Sequence, residues 1–187
     1  VALALAACVY WALVPIWPHM DTRILGDPNT DALRGMWGLD HLRRSIIPPE
    51  TPIISNQVNF PAGAFVITLP WTTGILMAPI GMLLGPVVAW NLSIAFMIWA
   101  LGMATAWLVR VLSGSWSAGL FSGGMIIAQP MLLHAIGDGT PEHISLWGIP
   151  LLIGMLWKAL RSASPKWGLL AGLTAFLIAM DSPYQAI

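Results

Sequence analysis

The strongest constraint on this chain is a run of residues without charge that is as long as a bilayer is thick. From Val87 to Val109 there is no Asp, Glu, Lys or Arg. About 20 mostly apolar residues suffice for a helix to cross the hydrocarbon core. Four more apolar runs follow, of which only the third carries a charge: Val1–Trp17, Ser115–His134, Ile144–Leu160 and Trp167–Met180. Lys158 sits near the end of its run, where a long cation can snorkel to the interface. Only 9% of the residues are charged and 57% are hydrophobic, against roughly 25% charged in a soluble domain. Eleven Trp suit a protein with two bilayer–water interfaces. The expected fold is therefore an all-α integral membrane protein with about five transmembrane helices, forming a single transmembrane domain over residues 1–187.

A formal net charge of zero provides no basic field for nucleic acid. One cysteine, Cys8, excludes an intrachain disulfide framework. Leu5-Ala6-Ala7-Cys8 has the look of a lipoprotein cleavage box. No charged segment precedes it, however, and apolar residues continue past it to Trp17, so Cys8 reads as a small residue inside the first helix. The chain opens on Val1 and closes on Ile187 in an apolar context, as a piece cut from a longer protein would.

Gly63–Leu84 is apolar and long enough to span, but it carries Pro70 and Pro79, which leave backbone carbonyls that lipid cannot satisfy. Charge decides its placement. If this segment does not cross, Arg110, Lys158, Arg161 and Lys166 all fall on the cytoplasmic side, as the positive-inside rule asks. All eight carboxylates then fall outside. If it does cross, the rule fails at each loop. The segment is therefore expected to be a re-entrant or juxtamembrane part of a first outer loop covering residues 18–86.

That loop is expected to contain structure. Asp27-Pro28 has the form of a helix start, with Asp as N-cap and Pro at the first helical position. Leu33, Met36, Trp37, Leu42 and Ile46 recur at helical spacing. Asp31 can pair with Arg34, and Asp40 with Arg43 or Arg44. Such a helix, ending before Pro48-Pro49, should lie in the membrane interface. Carboxylates and arginines thus gather on one membrane face: Asp27 and Asp31 from the first loop, Asp138, Glu142 and His143 from the second. A carboxylate can act as general base toward a hydroxyl or amine. Arg34, Arg43 and Arg44 suit a phosphate, and paired carboxylates suit a hard divalent cation. Asp181 ends an apolar run, and with Tyr184 it could line a site. Each has a plainer reading: Asp27 as a cap, Asp31 and Arg34 as a solvated pair, Asp138 as a turn residue, Glu142 as helix-dipole charge. Asn91-Leu92-Ser93 has the glycosylation pattern but falls inside an apolar run and is set aside.

The order Gly26-Asp27, Trp37, Phe60-Pro61 and Gly63 resembles the first outer loop of the GT-C glycosyltransferases, polytopic enzymes that use polyprenyl-phosphate-linked sugars. They include protein O-mannosyltransferases, aminoarabinose transferases and oligosaccharyltransferases. Leu108 to Gly114 resembles their basic turn between membrane helices. Gln129-Pro130 followed by Asp138 and Glu142 resembles their second outer loop. The resemblance implies Asp27 as catalytic base, with Asp138 or Glu142 completing the site. It also implies a divalent cation, Mg or Mn, held by Asp27 and Asp138, although the chain lacks a tight Asp-x-Asp pair. The implied donor is a polyprenyl-phosphate sugar. Short loops and the absence of usable glycosylation sites point to a bacterial plasma membrane, with the acidic loops outside. The rivals are a transporter or flippase of lipid-linked substrates, and a non-catalytic membrane scaffold. Polar residues clustered at one face, rather than at mid-membrane on broken helices, weigh against transport.

Overall fold

The computed structural model describes residues 1–46, 53–57, 62–65 and 70–181. The fold is all-α. Strand among the described residues is limited to β1 (Ile54–Ser55) paired antiparallel with β2 (Ala64–Phe65).

The central rod is α4 (Pro86–Ser113), 28 residues long. Pro86 at its first position loses no hydrogen bond there, and Gly114, at φ 78°, supplies the left-handed residue that ends it. Helix α5 (Trp116–Ile127) begins at once, with the Ser115 hydroxyl accepting the Ala118 N–H at 3.2 Å. It returns antiparallel along α4 through a small-residue seam. A Cβ on Gly119 would meet the Ala106 carbonyl, and one on Gly123 would meet the Gly102 carbonyl at 2.6 Å. Only residues without a bulky side chain let two helix backbones approach so closely.

Helix α6 (Pro130–Asp138) continues α5 after a 44° bend, at Pro130, which has no N–H to donate to the i−4 carbonyl. The one-turn α7 (Pro141–Ile144) leads to α8 (Gly148–Ser162), and α9 (Pro165–Asp181) returns beside it. Gly154 of α8 presses on the Trp107 ring of α4, while Gly148 faces Ile178 and Met155 meets Thr174. Helix α1 (Ala2–Ala12) covers α4 and α5, with Leu5 and Val9 buried. Trp90, Ile94, Met97, Ile98 and Leu101 of α4 form the middle of the core. The rods alternate in direction: α4 one way, α5–α6 back, α8 the first way again, α9 back.

By length and apolarity α4 qualifies as a membrane span alone, and α5 with α6 qualifies as a bent pair. The other expected spans differ from their sequence outlines. The first apolar run is helical only to Ala12. Beyond it lie turns and a single 3-10 turn at Trp17–His19, and Trp17 folds back, its indole N–H donating to the Tyr10 carbonyl at 2.8 Å. The run expected from Ile144 starts its helix at Gly148, because Ser145 is engaged elsewhere.

Between α1 and α4 lie α2 (Ala32–Ile46) and α3 (Trp71–Leu84). The expected helix start at Asp27-Pro28 is wrong. Residues 28–31 form turns, α2 opens at Ala32, and its first interior bond runs from Gly35 N–H to Asp31 C=O at 2.8 Å. The expected apolar face is also rotated. Ala32, Gly35, Gly38, Leu39 and Leu42 are buried, whereas Leu33 and Ile46 are exposed. Glycines on the inward face let α2 settle close to its neighbours. Helix α3 has 14 residues, which rise about 21 Å, less than the ~30 Å of a hydrocarbon core.

Candidate active site

Two loops meet at one end of the rods. The first, residues 20–31, is fastened to α4 by Asn91. This side chain is fully buried. Its Oδ1 accepts the Leu25 N–H at 2.7 Å, and its Nδ2 donates to the carbonyls of Met20 at 3.0 Å and Arg23 at 2.7 Å. The neighbouring Trp90 indole donates to the Leu25 carbonyl at 2.8 Å. Two consecutive α4 residues thus satisfy four backbone groups of a loop that has no ladder of its own, which buried backbone requires.

The second loop is the end of α6. Gly139, at φ 68°, closes the helix in the left-handed conformation, and Thr140 N–H reaches back to the Ala135 carbonyl at 3.1 Å. This wrapped terminus exposes the Gly137 carbonyl to the first loop, and Asp27 N–H donates to it at 2.8 Å. The Thr30 hydroxyl donates to the carbonyls of both Asp27 and Asp138. Gly26 and Gly139 make the approach possible. A Cβ on Gly26 would lie 2.6 Å from the Gly139 Cα, and its φ of 103° disfavours a side chain in any case.

The loops that carry Asp27 and Asp138, more than a hundred residues apart in sequence, are therefore stitched together through the Asp27 N–H and the Thr30 hydroxyl. The Asp27 side chain is exposed, with Oδ1 accepting from the backbone N–H of Asn29 at 2.8 Å and from its Nδ2 at 2.9 Å. This is an Asx turn, which takes the place of the expected helix cap. Asp138 pairs with His134, Nε2 to Oδ2, at 3.2 Å. Asp31 and Arg34 pair nearby at 3.2 Å.

The other expected site residues are distributed differently. Arg43 and Arg44, at the far end of α2, both bind Asp40, each at 2.6 Å. The expected pairings hold, but twelve residues of helix from Asp31 to Arg43 span about 18 Å. These two arginines are thus held away from the stitched loops, with Arg43 packed on Gly81 of α3. His143 is exposed, and its N–H donates to the Thr140 carbonyl at 3.1 Å. Glu142 lies in α7, its side chain outside the described residues. Tyr184, Glu50 and Phe60-Pro61 are outside them as well.

Asp181 forms a separate node. It is buried, at 7% exposure. Oδ1 accepts the Thr73 N–H at 2.9 Å, while Oδ2 accepts the Thr73 hydroxyl at 3.0 Å and the Ser145 hydroxyl. Thr72 donates to the Leu177 carbonyl at 3.0 Å. The carboxylate thus joins α9 to the first turn of α3 and to the α7–α8 link. Three donors offset the cost of burying it.

Among the described residues no three His, Cys, Asp or Glu side chains converge as a metal cluster. Asp27 Oδ1 is taken up by Asn29 and Asp138 Oδ2 by His134, which leaves each carboxylate one oxygen, the hard donor that Mg takes together with phosphate oxygens and waters. Sequence reasoning missed Asn91, Thr73, Ser145 and the glycine pair. A buried amide inside a charge-free run was a signal available for Asn91; the others have none in isolation.

Compared with known proteins, the chain matches no family model and no curated protein.

Proposed function

We propose that the chain is the N-terminal part of a polytopic membrane glycosyltransferase of GT-C type. In this reading α1, α4, α5–α6, α8 and α9 cross the membrane and α3 is a re-entrant element. Their alternating directions and the gathering of Arg110, Lys158, Arg161 and Lys166 at the end opposite Asp27 and Asp138 support it. The carrying observation is the junction of the two acidic loops by Asp27 N–H to the Gly137 carbonyl.

The chemistry follows from that junction. The Asp27 carboxylate takes the proton of an acceptor hydroxyl or amine as the acceptor's lone pair attacks the anomeric carbon. The bond from that carbon to phosphate oxygen breaks, and the lipid phosphate leaves with the electron pair. Asp138, oriented by His134, completes the acidic pair, and a divalent cation held by both would offset charge on the departing phosphate. Arg34 is the arginine placed beside these loops. An apolar groove of about 1010 Å³ between α1 and the α5–α6 bend, lined by Trp11, Gly124, Ile127 and Leu133, suits the isoprenoid tail.

The test is transfer of a labelled sugar from polyprenyl phosphate by the full-length protein. Asp27→Asn should lower transfer by at least ~100-fold at unchanged expression. Wild-type transfer by that variant would remove Asp27 from the mechanism. A second reading, a transporter or flippase for lipid-linked substrates, is favoured by one feature, the 44° break between α5 and α6, since transporters build sites on broken helices. Movement of the lipid across vesicles without acceptor-dependent turnover would select it.

A further inference from the structure

The end of the rods opposite the acidic loops holds a groove that the transfer chemistry does not use. It has a volume of about 440 Å³ and is lined by Val111 and Leu112 of α4, Trp157, Lys158, Arg161 and Ser162 of α8, and Trp167 of α9. Its two cations are held on aromatic faces. Lys158 Nζ lies 4.2 Å from the Trp167 ring centre, and Arg161 Cζ lies 4.7 Å from that of Trp157. The six described aspartates belong to the loops and helices of the other end or to α2, and none lines this groove. Cations ending a helix have a plain explanation in the helix dipole. That explanation does not require a cleft, nor apolar side chains from a second helix facing the charges across it.

We infer that this groove binds the phosphate diester headgroup of an anionic phospholipid, with Lys158 and Arg161 on the phosphate and Val111, Leu112 and Trp157 against the upper acyl chain. The inference rests on the membrane reading above. Basic pockets between membrane helices on the cytoplasmic side select such headgroups, and ring faces fix cations that would otherwise lose rotamer freedom on binding. Three features match an amphipathic ligand rather than a free anion: paired charge, an apolar wall beside it, and a groove open at the helix ends.

The full-length protein in detergent, offered equal phosphatidylglycerol and phosphatidylcholine and weighed by native mass spectrometry, should retain phosphatidylglycerol preferentially, by about five-fold per engaged cation. Lys158→Gln with Arg161→Gln should abolish the preference. Lys158→Arg with Arg161→Lys should keep it, and so should Lys166→Gln, since Lys166 does not line the groove. Loss of preference in the charge-conserving pair, or no preference in the wild type, overturns the proposal. Displacement of the lipid by millimolar inorganic phosphate also overturns it, in favour of a free-phosphate site. Carbonate washing of membranes separates the two levels of failure. Protein extracted by carbonate refutes the membrane reading itself, whereas protein that stays in the membrane without lipid preference refutes only the headgroup site.

Discussion

The two ends of the rod assembly are built from different materials. At the acidic end, position is set by hydrogen bonds to backbone groups. Asn91 and Trp90 grip the carbonyls and an N–H of one loop, and the Gly137 and Asp138 carbonyls grip Asp27 and Thr30. At the basic end, position is set by side chains on rings: Arg110 at 5.7 Å from the Trp116 centre, Lys158 over Trp167, Arg161 over Trp157. Backbone hydrogen bonds in a buried setting fix a group to tenths of an ångström and are costly to leave unmade. A cation over a ring gains about 0.5–1 kcal/mol at exposed sites and tolerates sliding. Catalysis demands the first kind of placement, whereas contact with a fluid headgroup layer is served by the second. The difference in construction favours the acidic end as the place of the proposed transfer.

That contrast can be broken by substitutions, beginning with the largest effect. Asp27→Asn should cost the two or more orders of magnitude in transfer given above while leaving thermal stability intact, because Asn can also accept from Asn29. Asn91→Leu should orphan the Leu25 N–H and two carbonyls, at about 1–3 kcal/mol for each group left buried. A thermal melt of the purified protein should show it as a clear drop in Tm, with transfer lost as the first loop detaches. Gly26→Ala should force the loops apart and strain a φ of 103°, costing on the order of 1 kcal/mol or more. Here transfer should fall further than the melting temperature does, since the junction suffers before the core. Lys158→Met at the other end should cost only ~0.5–1 kcal/mol and leave transfer unchanged. Arg34→Gln should be the mildest in stability, within about 1 kcal/mol, because both partners of its pair with Asp31 are about half exposed. A stability loss from Lys158→Met as large as that from Asn91→Leu would erase the distinction between the ends.

Legibility in the sequence followed the same division. The basic end and the central rod could be read ahead, because they depend on run length and charge order. Val87–Val109 became α4 to within a turn, and the pairs Asp31–Arg34 and Asp40 with Arg43 and Arg44 formed as spacing required. The acidic end was legible only as a list of residues. Asp27-Pro28 looked like a helix start because local pattern cannot reveal that a carbonyl from position 137 will occupy the Asp27 N–H. Asn91 was set aside as a stray glycosylation signal, although an amide in a charge-free helix needs partners and finds them in the loop. Arg43 and Arg44 were grouped with the site by their charge. Helix length separates them from it. Asp181 was read as a residue that could line a site; its tie of α3 to α9 was not legible, because it depends on Thr73 and Ser145 arriving from distant segments.

The central claim is that Asp27 and Asp138 share one exposed face while the α8–α9 turn lies on the other. In a Cys8→Ser background, single cysteines at positions 27, 138 and 164 would be treated with a membrane-impermeant thiol reagent in intact cells and again after lysis. The account predicts labelling at 27 and 138 in intact cells and at 164 only after lysis. Labelling at 27 without 138 in intact cells would place the two acidic loops on opposite sides and contradict the composite site.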